Sequence, residues 1–192
     1  MKVFFHKYSY NIVKNLVNQF AISLFGAMLS MVTTASGNTG FAISVSIFAI
    51  VFYLFLVYIT TWEIGAKDRV SVDVGKMEYR PHTGLLIALV SNIPNFLIAI
   101  LYFVSSLFPD TSKVAGTINF LSGIFSMIFQ GMYTGLLMSI RFSSGLYLIN
   151  MWWAFFVIII PGLVTSWIAY YTGFKNFRMI APLFDKKNQT RK

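Results

Sequence analysis

Charged residues in this chain come in clusters, and long apolar runs fill the space between them. No Asp, Glu, Lys, Arg or His occurs between Asn15 and Trp62, between Gly84 and Phe108, or between Thr117 and Ile140, and Arg141 stands alone before Lys175. Such runs reach the roughly 20 apolar residues that a helix needs to cross a bilayer. Backbone groups in lipid must find their partners within the segment, so the expected fold class is all-α, a polytopic transmembrane helix bundle. Four to five membrane segments are read, at residues 16–34, 41–61, 84–108, 117–140 and 146–172. The third holds Ser91-Asn92-Ile93-Pro94-Asn95 at its centre and is expected to be Pro-broken or re-entrant there. The stretch 35–40 is short, uncharged and rich in Gly and Asn, which predicts a tight antiparallel hairpin of the first two segments.

The polar stretches divide one integral membrane domain, residues 1–192, into recognisable parts. Residues 1–15 form a basic, aromatic N-terminus with the character of a separate interfacial helix. Residues 62–83 are the one long polar connection, and 173–192 a basic tail. Within the connection Val70, Val72 and Val74 alternate with polar residues, and Gly75-Lys76 offers a turn into Met77-Glu78-Tyr79, a short β-hairpin signal. Otherwise the connection reads as a neutral linker whose charges stay solvated, or as the docking place of a protein partner.

Composition agrees with a membrane chain, being 57% hydrophobic and 11% charged over 192 residues. The net charge of +9 changes the picture more, because it gathers at the two ends. Basic ends read as topogenic charge beside anionic headgroups rather than as a nucleic-acid patch, so the bilayer itself is the first expected partner and no nucleic acid is expected. Five full crossings would spread the basic residues almost evenly over the two sides. Both termini in the cytoplasm would concentrate them on one side. That arrangement requires one of segments three to five not to cross fully: segment three turning at its Asn-Ile-Pro-Asn centre, or segment four breaking near Gln130-Gly131. The expected location is a bacterial cytoplasmic membrane.

Candidate chemistry is sparse. With no cysteine and only His6 and His82 far apart, no metal site and no cofactor is expected. Ser143-Ser144-Gly145 lacks a neighbouring base, and no nucleotide-binding glycine pattern occurs, so an enzyme is not expected. No ionisable group lies at the centre of a segment. Amides do: Asn92 and Asn95 flank Pro94, and with Gln130 they form a candidate solute site, or else bond helix to helix. Gly131 and Gly135 make a GxxxG pair, and Gly26 with Ser30 repeats the small-residue spacing in segment one, which marks candidate helix packing. Two functions follow. The first is an accessory or partner subunit of a membrane transport or envelope assembly. The alternative is a small permease, channel or substrate-binding membrane subunit built on the Asn92-Pro94-Asn95 break.

Overall fold

The computed structural model describes residues 2–35, 37–108, 113–142 and 145–177, so Pro109–Ser112, the hydroxyl pair Ser143-Ser144 and the tail from Arg178 lie outside the described residues. Long apolar sequences free of proline fold here as two long helices, α1 (Lys2–Ala35) and α2 (Thr39–Asp73). Asn38 closes the turn between them, its side chain accepting from the Phe41 amide at 3.1 Å. The two run antiparallel, with Asn15 facing Thr60 and Lys7 facing Asp68.

Two expectations are corrected here. The N-terminal stretch is not a helix of its own: α1 runs unbroken from Lys2, with Tyr8 and Ile12 buried. Nor does segment two stop at its first charges. It continues helically to Asp73, so the β-hairpin read at 70–79 does not form, and only 74–82 connect it to the next helix. The Gly75 taken for a hairpin turn is instead the glycine that ends the helix, at φ 72°. Its amide donates to Val72 O and that of Lys76 to Ser71 O, both at 2.9 Å, the paired bonds of a Schellman stop. Alternating valines do not decide between strand and helix when one helical face, Thr61, Ile64, Gly65 and Asp68, can be buried.

The third segment splits into α3 (Thr83–Ser91) and α4 (Ile93–Ser106), bent by 55° at Asn92. Pro94 sits in the first turn of α4, where its missing N–H has no helical partner to lose. The fourth splits too, into α5 (Lys113–Gln130) and α6 (Thr134–Ser139), joined by a single tight turn. The fifth is helical only late: a short α7 (Ala154–Val157) precedes α8 (Ile160–Phe174), whose first turn takes up Pro161. The described residues contain no strand, only one isolated bridge between Arg141 and Tyr147.

Four of these helical stretches are long and apolar enough to cross a membrane, five if α3 and α4 count as one bent span. The protein is an integral membrane protein, and its packing carries the mark of one. Ser23, Ser46, Thr61, Ser126 and Ser166 are buried, whereas Phe25, Met28, Phe48, Val51, Phe120 and Trp167 are exposed. Between lipid-bathed helices no water is excluded by contact, so small and hydroxylated residues that allow close approach take the interior.

The order of the bundle follows from four seams. α8 runs parallel to α2, with Gly162 beside Tyr53, Thr61 beside Ser166 and Gly65 against the Tyr170 backbone. α3 runs opposite to α8, Gly84 lying on Tyr170 and accepting from Ser166 Oγ at 2.8 Å. α3 and α6 both lie along α1: Asn92 meets Gln19, Gly131 meets Ser23 and Ala27, and Gly135 meets Ser30. The start of α1, the end of α2, the start of α3 and the end of α8 therefore share one end of the bundle, which we call the Lys7 end. Asn38 marks the other.

Candidate functional site

Two groups of polar residues stand out, one at the helix breaks and one at the Lys7 end. At the first, the bend between α3 and α4 leaves Asn92 at the junction. Its Nδ2 donates to Ala88 O at 2.9 Å, and its Oδ1 accepts from Asn95 Nδ2 at 2.8 Å and from Gln19 Nε2 at 3.3 Å. All three amide side chains are buried. The break at Gln130 is made without proline: its φ of −132° leaves the helical region, and the freed Gly131 amide donates to Ser23 Oγ. Ser126 Oγ donates to Gln130 Oε1 at 3.0 Å. Gln19 and Ser23 are one turn apart on α1, so the two breaks sit on successive turns of the same helix face.

Of the residues singled out in the sequence, Asn92, Pro94 and Asn95 are thus brought together, and Gln130 lies one helical turn along α1 from them. The void beside Asn92 is lined by Asn15, Gln19, Tyr53 and Gly162, and it measures about 10 Å³. That is the space of one water. Asn95 Oδ1 and Gln130 Nε2 are buried with no hydrogen-bond partner.

The packing residues also have definite places. A Cβ added to Gly26 would lie 2.5 Å from Met132 Cα, and one added to Gly131 would meet the Ser23 carbonyl. Gly135 sits against Ser46, Ala42 and Ser30. These small residues join α1, α2 and α6 of one chain.

The second group escaped sequence reasoning. Asp68, on the part of α2 that reads as a solvated connection, has only 2% of its surface exposed. Its Oδ1 is bound by Lys7 Nζ at 2.7 Å, and its Oδ2 accepts from Tyr8 at 2.6 Å and from Tyr170 at 2.9 Å. One carboxylate therefore ties α1, α2 and α8 together. A buried carboxylate needs such partners, because desolvation would otherwise outweigh any gain from packing. The signal was present in the 3.6-residue spacing of Thr61, Ile64, Gly65 and Asp68, which continues that of Tyr53 and Val57.

Beside this cluster opens a cavity of about 500 Å³, between α1, the 74–82 connection and α3. Lys7, Lys76, Arg80 and Glu78 contribute charge to it, and Phe4, Met77 and Leu86 contribute apolar wall. Tyr79 turns away from it to stack on Phe174, ring centres 4.0 Å apart, and burial raises its phenol above the ordinary value. Among the described residues no three His, Asp or Glu side chains gather as a metal would require. Neither a protein-family profile, nor a curated protein sequence, nor a solved structure matches this chain.

Proposed function

We propose that the protein is a non-enzymatic accessory or partner subunit of a membrane transport or envelope assembly, set in a bacterial cytoplasmic membrane with both termini cytoplasmic. The observation that carries this reading is the state of the amide cluster. Asn92 accepts from both Asn95 and Gln19 and donates to Ala88 O, and the void beside it takes about one water rather than a solute. Amides used in this way hold helices together.

The far end of α2 supports a partner. At 1.5 Å per residue its 35 residues extend about 50 Å, well beyond the roughly 30 Å hydrocarbon core, so its last turns pass through the headgroup layer toward the water. There Glu63, Lys67, Val70 and Val74 form one exposed stripe, with 63% and 61% of the two valines' surface open. Two exposed valines where a helix emerges from the bilayer are an anchor for another protein, and the flanking charges supply orientation. The test replaces Val70 and Val74 by Lys in the chromosomal copy. A mild-detergent extract of the parent should run on a native gel as a species larger than the purified protein. The double variant should run at the size of the purified protein, with its own melting temperature unchanged. A parent that migrates alone in every detergent overturns the proposal.

A second reading has one observation in its favour. Asn95 Oδ1, Gln130 Nε2, Ser46 Oγ and Tyr133 OH are all buried without a partner, and unmet polar groups suit water or a small neutral solute between the helices. Under this reading Asn92→Ala with Asn95→Ala abolishes solute entry into proteoliposomes. Under the first, the same double variant loses stability alone, and no solute enters faster than into protein-free vesicles.

A further inference from the structure

We infer that the cavity at the Lys7 end is a binding site for a phosphate-bearing anion, with the headgroup of an anionic phospholipid as its natural source. This goes beyond the subunit reading and stands on separate residues, so the failure of one leaves the other intact.

The argument starts from charge. Lys7, Lys76 and Arg80 line the cavity, and neither Lys76 nor Arg80 is paired with a carboxylate among the described residues. Lys7 is engaged with Asp68, and its Nζ also lies 2.8 Å from Met77 Sδ, yet an ammonium has three protons to donate. Arg80 lines the same cavity as Tyr8 and Lys7. Even with Asp68 and Glu78 set against them, the three cations leave the site positive. Two ammonium groups and one guanidinium around a vacant volume match a tetrahedral oxyanion, which the planar guanidinium binds with two parallel bonds.

Position then selects the kind of anion. The cavity lies where the apolar run of α1 gives way to its basic start, at the depth of headgroups in the membrane reading of the chain. Its apolar wall, Phe4, Met77 and Leu86, continues toward the lipid side, where Phe5 and Leu86 are each 43% exposed. A ligand that carries a phosphate on a glycerol and acyl chains satisfies both halves of this wall. Each basic side chain near an anionic surface adds to its attraction, and three held in one concavity distinguish one headgroup from the bulk.

The test uses the purified full-length protein, stripped of lipid in detergent and titrated with phosphatidylglycerol or phosphatidylcholine while bound lipid is counted by native mass spectrometry. Lys76→Gln with Arg80→Gln should weaken phosphatidylglycerol binding roughly thirtyfold, as expected for two lost surface charges. Lys113→Gln with Arg141→Gln removes the same charge away from the cavity and should leave binding unchanged. Equal losses in the two double variants, or a wild-type protein that does not prefer phosphatidylglycerol to phosphatidylcholine, overturn the proposal. Melting temperatures of both variants separate a lost site from a lost fold. Displacement of the lipid by millimolar inorganic phosphate would assign the site to the anion alone, and resistance to it would assign the site to the lipid.

Discussion

Asp68 shows how one side chain can organise an end of a bundle. Its two oxygens take three donors from two other helices, so its removal strands Tyr8, Tyr170 and Lys7 at once. Asp68→Ala should therefore cost roughly 2–4 kcal/mol, because each buried group left without a partner costs its own desolvation. Lys7→Gln should cost only about 1 kcal/mol, since the Lys7 side chain is 40% exposed and solvent screens its charge. Thermal unfolding in detergent, followed by a dye-free fluorescence shift, measures both, and equal losses would show the carboxylate to rely on lysine rather than on the phenols. At the helix breaks the expectation is milder. Asn92→Ala with Asn95→Ala removes two interhelical or cross-bend amide bonds and should lower stability by about 1–2 kcal/mol. Asn92, Asn95 and Gln130 were legible as buried amides because no charged residue occupies their segments. Asp68 was not, since a charge beside other charges carries the same pattern whether water or tyrosine surrounds it.

The helices are joined by backbone approach more than by interlocking side chains. Gly65 and Gly173 on α2 and α8 each bring the facing backbone against the position a Cβ would take, Gly65 at Tyr170 and Phe174, Gly173 at Trp62. Gly65→Ala should force the seam apart at a cost of roughly 1–3 kcal/mol. Gly123→Ala provides the contrast: nothing lies within 4 Å of the added Cβ, so the helix-forming gain of about 0.5–1 kcal/mol should appear as a higher melting temperature. If both glycines respond alike, close packing is not what holds α8 to α2. The small-residue spacing singled out Gly26 and Ser30 on α1 and Gly131 and Gly135, which lie in the turn before α6 and in α6 itself. Which helix these residues would meet was not in the spacing. Gly65, Gly84 and Gly173, on the closest contacts of α8, have no GxxxG partner, and only the fold gives them a neighbour.

At the scale of the molecule, α1 and α2 form a hairpin, and α8 returns to the end where α1 began. Between them the chain travels along α1 in two pieces, α3 to Gln19 and α6 from Ser23 onward, with α4 and α5 interposed. The proposed orientation makes a direct expectation, favourable for testing because the chain has no cysteine of its own. A cysteine placed at Asn38 should react with an impermeant thiol reagent in intact cells, and one placed at Asn176 should be protected until the cells are opened. Reaction at Asn176 alone would invert the orientation, and reaction at both would contradict a shared end for α1 and α8. The sequence by itself determined the membrane class, the hairpin around Asn38 and the bend at the Asn-Ile-Pro-Asn motif, because length of apolar run, turn chemistry and a missing amide are local properties. The tertiary structure decided that α2 continues through its charged end, that the break near Gln130-Gly131, read from the sequence as an alternative to the one at Asn92, forms together with it, and that Asp68 is buried beside a basic cavity. Each of those depends on a partner brought from far along the chain, Tyr170 for Asp68 and Ser23 for the Gly131 amide, and no local pattern encodes a partner.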